Sequence, residues 1–176
     1  DIIMVGEIRE QETAEIAVQA ALTGHLVLST LHTNDSISAV TRMIDMGVEP
    51  YLLSSALIGV VAQRLVRTVC QACKTTFLAP GEVMERYGWD PGEKLLLARG
   101  RGCAECYDSG YKGRIAIHET LETTDDLQRM IMANPSRDEL SAYLREHNVT
   151  RLIEDGLERV REQRTTIEEV SRVINN

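Results

Sequence analysis

Ile2-Ile-Met-Val-Gly-Glu7 is a short apolar run closed by a glycine and a carboxylate. A run that is apolar at every position and partly β-branched reads as a strand buried on both faces of a parallel sheet. Arg9 to Leu22 follows as a helix, with Thr13, Ala14, Ile16, Ala17, Ala20 and Ala21 at its less polar positions and Thr23-Gly24 at its end. Leu26-Val-Leu-Ser-Thr30 is a second buried strand. Thr33-Asn34-Asp35-Ser36 supplies cap formers, and Ile37, Val40, Met43 and Ile44 continue as a helical stripe that Gly47 stops. Pro50 sits at the first turn of another helix, carried by Leu52, Leu53, Ala56, Leu57 and Val60. Gln63 to Val69 alternates as a strand. Strand, helix, strand, helix, helix, strand predicts α/β architecture with a largely parallel sheet.

Outward from that block the pattern changes. From Cys70 the chain is turn-rich, with Pro80-Gly81, Asp90-Pro91-Gly92, Gly100 and Gly102 and one short helix near Glu82 to Tyr87. Gly113-Arg-Ile-Ala-Ile-His-Glu119 alternates as a returning strand. Helices fill the remainder, over Thr124 to Ala133, Arg137 to His147, Thr150 to Glu162, and onward from Thr166. Ser136 with Glu139, and Thr166 with Glu169, read as capping boxes. The expected division is 1–69, a core segment; 70–112, a cysteine-held subdomain; and 113–176, the returning strand and helical region.

The 176 residues are enough for one ordinary domain, and 43% apolar against 26% charged predicts a packed core rather than disorder. A net charge of -8 and seven aromatic residues disfavour a nucleic-acid binder, which needs basic patches and stacking rings. No apolar run is long enough to cross a bilayer. The start carries neither an initiator Met nor a signal peptide's basic region, and it opens directly into an apolar run, as a fragment of a larger protein would.

Cys70-Gln-Ala-Cys73 and Cys103-Ala-Glu-Cys106 carry the most specific chemistry. Two residues between thiolates let one tight turn present both sulfurs to one ion, and two such turns complete a tetrahedron. Zinc in a closed structural site is the leading reading. An iron–sulfur centre and a redox dithiol remain open beside it. Glu7 stands where open α/β sheets place ligands, at the carboxyl end of a strand. It reads either as a surface carboxylate or as the group that orients a water in nucleotide hydrolysis. His25 and His32 bracket the second strand in a dense polar edge. Asp35 or Ser36 reads there as a helix cap.

Together these segments resemble the C-terminal portion of the ATPases that drive type II protein secretion and type IV pilus assembly. Asp1-Ile-Ile-Met-Val-Gly-Glu-Ile-Arg9 with Glu12-Thr-Ala14 resembles their Walker B strand and following helix. Thr23-Gly-His-Leu-Val-Leu-Ser-Thr-Leu-His-Thr-Asn-Asp35 resembles their histidine box. Ala62-Gln-Arg-Leu-Val-Arg67 leads into the first cysteine pair as it does there, and Gly110-Tyr-Lys-Gly-Arg114 with Ile117-His-Glu119 resembles the return from the metal element. The match runs nearly end to end. Gln71 for the usual Pro and Glu10 for the usual Asp are small departures. A larger one is that Gly-x-x-x-x-Gly-Lys-Ser/Thr occurs nowhere in the chain, so no phosphate-cradling loop is present in it.

The resemblance implies the distal part of a RecA-like core with an inserted tetracysteine zinc subdomain and a helical C-terminal region. It implies Glu7 as the catalytic carboxylate and Gly6 where other nucleotide hydrolases carry a metal-facing Asp. It puts His32 near the γ-phosphate, His25 at the start of the same box, and Arg9 coupled to Glu7. Arg64 and Arg67 fall at positions for the nucleotide site or a subunit contact, with a structural ion pair as the competing reading. Cys70, Cys73, Cys103 and Cys106 match the zinc element. ATP and Mg²⁺ would be bound by the full-length protein, while this chain alone should be inactive. A hexameric ring in the bacterial cytoplasm, peripheral to the inner membrane, would act on an inner-membrane platform and its cytoplasmic assembly proteins. The competing class is a non-catalytic zinc-bearing adaptor for a protein partner. Glu7 and His32 discriminate: converging on one cleft they favour the motor, and pointing apart they oppose it.

Overall fold

The chain runs β1 (Ile2–Val5), α1 (Gln11–Leu22), β2 (Leu26–Ser29), α2 (Ser36–Asp45), α3 (Pro50–Ala56) and β3 (Gly59–Val69). Next come β4 (Lys74–Leu78), α4 (Gly81–Arg86), β5 (Leu96–Gly100) and β6 (Tyr111–Glu122). Four helices close it: α5 (Asp125–Met132), α6 (Arg137–Glu146), α7 (Leu152–Arg161) and α8 (Ile167–Ile174). This is a computed structural model, and it describes residues 1–175. The chain forms two compact units, residues 1–62 with 119–150 and residues 63–118 with 151–176. β3 and β6 are hydrogen-bonded neighbours, and each is divided between the units.

In the first unit β1 and β2 pair in parallel, from Ile2 opposite Leu26 to Val5 opposite Ser29, with α1 as the crossover. Val5 and Val27 pack on the core built by Ala14, Ala17 and Val18 of α1 and by Ile37, Val40 and Met43 of α2. The other face is open. Ile2 is 70% and Met4 78% exposed, and Leu26 and Leu28 beside them are also exposed. The reading of both strands as buried on two faces is therefore corrected: among the described residues, helices cover one face of this pair. The expected largely parallel sheet is corrected too. The described strands form three two-stranded sheets, with β1–β2 parallel and β4–β5 antiparallel.

Element ends follow local chemistry until tertiary pairing intervenes. α2 starts at a side-chain cap, Asp35 accepting from the Ser38 N–H at 2.7 Å, and stops before Gly47, whose φ of +98° suits glycine. α3 starts at Pro50 as expected but ends at Ala56 rather than reaching Val60. Strand pairing claims the chain from there: the Ile58 carbonyl accepts from Thr123 N–H, and β3 begins at Gly59. α1 starts two residues later than expected because Ile8 is buried and its N–H donates to the Thr30 carbonyl.

The second unit holds the antiparallel pair β4–β5, Lys74 opposite Gly100 to Leu78 opposite Leu96, which the turn-rich composition concealed. Met84, Leu95, Leu97 and Ala98 are buried, so the segment has apolar packing of its own besides its cysteines. The capping box at Ser136 and Glu139 forms. At α8 half a box forms. Thr166 Oγ1 accepts from the Glu169 N–H at 3.2 Å, but the Glu169 side chain turns away to Arg67 and Arg172. Among the described residues no helix is long and apolar enough to cross a membrane.

Candidate active site

Parallel pairing of β1 and β2 delivers both strand exits to the same edge, and two bonds tie them there. Thr30 Oγ1 donates to the Gly6 carbonyl at 2.7 Å, and Ile8 N–H donates to the Thr30 carbonyl at 3.0 Å. Glu7 leaves β1 at this edge and His32 follows β2. His32 Nε2 lies 2.7 Å from Glu7 Oε1, and Arg9 Nε donates to Glu7 Oε2 at 2.5 Å. The Glu7 side chain is 20% exposed, whereas those of His32 and Arg9 stand largely in solvent. Glu7 Oε1 is buried and receives no well-aligned hydrogen bond among the described residues. At Gly6, next to it in the chain, an added Cβ would meet nothing within 4 Å, so the main chain there borders open space. A carboxylate backed by protein, with an imidazole and a guanidinium at its front, is equipped to take a proton from water and to accept a polyanion beside it.

His32 also borders an open cleft of about 330 Å³, lined further by Thr33, Asn34, Ser38, Thr41 and Arg42. His25 is not part of this group. It sits before β2, at the strand's other end, where Nδ1 lies 3.2 Å from the Ala20 carbonyl and 3.3 Å from Thr23 Oγ1. That is a helix-end contact.

Three partners escaped sequence reasoning. Arg137 of α6 reaches back to Asp35 Oδ2 at 2.6 Å and Ser38 Oγ at 2.8 Å. Burial pushes the Asp35 carboxyl pKa up, but hydrogen bonds from Ser38 and the pairing with Arg137 outweigh it and hold the value below the ordinary one. Ser36 and Glu119 are both buried, and Glu119 Oε1 accepts from the Ser36 N–H at 3.0 Å and from the Ser36 hydroxyl. A signal existed for this. Ile117, Glu119 and Leu121 share one face of β6 by their spacing of two, and a glutamate in an apolar row needs a partner.

Arg64 and Arg67 belong to the second unit. Their spacing of three on β3 sends their side chains to opposite faces of the strand. Arg67 donates to Glu169 from its backbone N–H at 3.0 Å, from Nε at 3.0 Å and from Nη2 at 2.7 Å, and its guanidinium lies 4.2 Å from the Tyr111 ring centre. The hydrogen bonds with Glu169 raise the Arg67 pKa above its ordinary value.

The four cysteines converge in the same unit. Cys70 follows β3 and leads into one 3-10 turn, Gln71–Cys73; Cys103 leads into another, Ala104–Cys106. Their sulfurs lie 3.9 Å (Cys70–Cys103), 3.8 Å (Cys73–Cys106) and 3.7 Å (Cys103–Cys106) apart, and all four are free thiols within 4.8 Å of one another. An ion bound tetrahedrally with bonds of about 2.3 Å requires sulfur separations of about 3.8 Å. Cys106 Sγ accepts from the Cys103 N–H at 3.2 Å and the Gly110 N–H at 3.3 Å. Burial raises the Cys106 pKa, but these backbone donors overcome it and bring the thiol to about 7, whereas burial drives Cys73 up to about 11. The backbones entering and leaving the second turn pass closely at glycine: a Cβ on Gly100 would stand 2.1 Å from the Gly110 carbonyl oxygen. This donor set suits a metal ion.

A family model described as "Type II/IV secretion system protein" matches residues 1–172. Over 173 residues the chain is 50% identical to the type II secretion system protein E of Pseudomonas aeruginosa, covering 98% of this chain and 34% of that protein. It is 49% identical over 173 residues to the type II secretion system ATPase E of Vibrio cholerae, with 98% and 34% covered. It is 50% identical over 172 residues to the type IV pilus assembly ATPase PilB of Thermus thermophilus, with 97% and 19% covered. The chain thus spans about a third of the first two relatives, 34% of each, and less of the third. Among solved structures, the pilus retraction motor PilT with bound ADP superposes with a TM-score of 0.65 at 23% identity, over 98% of this chain and 39% of that one. The Legionella pneumophila ATPase DotB does so with 0.65 at 19%, over 99% and 38%. At these identities the likeness is one of α/β fold.

Proposed function

This chain belongs to the type II/IV secretion system protein family, and from that we propose that it is the C-terminal part of an ATPase that powers type II protein secretion or type IV pilus assembly. The observation that carries the reading is the 2.7 Å approach of His32 to Glu7 at the carboxyl ends of two parallel strands. In this reading Glu7 takes the proton of the water that attacks the γ-phosphorus. His32 faces the γ-phosphate and orients that water against Glu7. Arg9 holds the second carboxylate oxygen and keeps Glu7 aimed. The open space at Gly6 admits the nucleotide's phosphate end. Mg²⁺, when bound, supplies charge neutralisation on the phosphates. His25 serves as a helix-end contact, and Arg67 as a structural ion pair with Glu169; Arg64 stays assigned to a nucleotide or subunit contact by the family resemblance alone.

We assign residues 1–69 to the distal RecA-like core, 70–112 to a zinc-bearing subdomain and 113–176 to the returning strand and helices. Zn²⁺ fits the sulfur spacing and the backbone donors to Cys106, and it would tie together two turns that the β4–β5 pairing already brings near each other. The full-length protein would act as a homo-oligomer, a hexamer in this reading, at the cytoplasmic side of the bacterial inner membrane against the machine's platform proteins. Without a phosphate-cradling loop, residues 1–176 alone should not turn over ATP.

The test is Glu7→Gln in the full-length protein. Steady ATP turnover is expected to vanish while ATP affinity stays, because a carboxamide takes no proton from water. Normal turnover in that variant would remove the role assigned to Glu7, and a full-length protein with no ATP turnover at all would favour the adaptor class.

A further inference from the structure

The side chain of His32 is 86% exposed, so almost nothing packs against it. Its position is set by the backbone between β2 and α2. That loop is anchored at its near end by Thr30, through the bonds to Gly6 and Ile8. At its far end stands Ser36, the first residue of α2, fully buried and bonded through both its N–H and its hydroxyl to Glu119 of β6. Asp35 takes one first-turn donor, accepting from Ser38, and pairs with Arg137. Glu119 takes the donors that Asp35 does not reach, the N–H and hydroxyl of Ser36. It is also 1% exposed, between Ile117 and Leu121 on a row where an aliphatic residue would pack without desolvating a carboxyl.

We infer that Glu119 is a positioning residue for His32: it pins the start of α2, and with it the far end of the loop that aims the imidazole at Glu7. The inference rests on the functional reading above. An aliphatic residue at 119 would leave the Ser36 donors without this acceptor and let the loop drift. A displacement of about 1 Å is enough to lose a large factor in rate.

The experiment is a double-mutant cycle in the full-length protein, read by ATP hydrolysis and thermal unfolding. Glu119→Ala is expected to lower kcat about ten- to a hundredfold with KM for ATP changed less than about twofold. In a His32→Ala background the same substitution should lower kcat no further, because no imidazole is left to misplace, while its effect on unfolding persists. Losses of kcat that multiply in the cycle overturn the inference and leave the functional reading intact. Normal turnover of Glu7→Gln, measured in parallel, overturns the roles assigned to Glu7 and His32 and this inference with them. Should Glu119→Ala not fold, Ser36→Ala removes one of the two donors and is read in the same cycle. A kcat loss that disappears without His32 supports the inference; a loss that persists, or none, overturns it.

Discussion

Glu169 has Arg67 and Arg172 on its two carboxylate oxygens and lies buried beneath them. Burial pushes its pKa up; the hydrogen bonds from Arg172 and from the Arg67 side chain and backbone push it further down, from 4.5 to about 2. A depressed carboxylate stabilises the fold fully above its unfolded value and loses that contribution as pH falls through its folded value. The window is therefore from about 4.5 down to about 2. Because both arginines are about half exposed, the size is discounted to roughly 1–2 kcal/mol. Glu169→Gln should lower stability at neutral pH by that order and flatten the acid loss across the window, as measured by urea unfolding at a series of pH values. An acid profile like the wild type's in that variant would contradict it. Two residues here show the limits of local sequence signals. Thr166 and Glu169 carry the capping-box spacing, yet only the threonine caps, because β3 brings a guanidinium within reach of the glutamate.

At the scale of elements, the cysteine turns depend on two backbones passing at glycine. Gly100→Ala would drive a Cβ into the Gly110 carbonyl, and main chain yields less readily than a side chain. It should abolish metal binding although no ligand is altered, and metal analysis of the reduced protein checks this. Cys103→Ser should release the metal and speed amide exchange across residues 70–112 while the β1–β2 pair keeps its protection. Reduced wild-type protein without bound metal would contradict the zinc reading. Affinity should fall toward acid pH, since thiolates must form before they bind. Strand ends tell a related story. β3 and β6 both extend beyond their alternating cores of sequence because each supplies the other's hydrogen bonds. α3 stops where that pairing begins.

Across the whole molecule, each unit draws on distant parts of the chain. The first joins residues 1–62 to 119–150, and its core runs from Ile8 and Val18 through Ile37 and Leu53 to Leu127, Leu140 and Leu144. Ile37→Ala should destabilise this unit by about 2–5 kcal/mol, with faster exchange in its amides than in those of residues 63–118. Equal loss of protection in both would show that the two do not behave as separate packing units. The α/β class, the cysteine tetrad and most helices and strands were legible from residue pattern, because periodicity, caps and ligand spacing are local properties, and the family was legible from the resemblance of four segments; β4 and β5 were not legible. Of the candidate site, Glu7 and His32 stood out as a strand-end carboxylate and part of a polar edge, whereas the coupling of Arg9 to Glu7 was implied only by the family resemblance. Which face of β1 and β2 stays open, where Glu169 and Arg67 spend their charge, and what holds the His32 loop were decided by tertiary structure. Each depends on groups that meet across long separations, 83 residues between Ser36 and Glu119 and 102 between Arg67 and Glu169. Side-chain partners at such range are chosen by burial and geometry, and no local pattern encodes them.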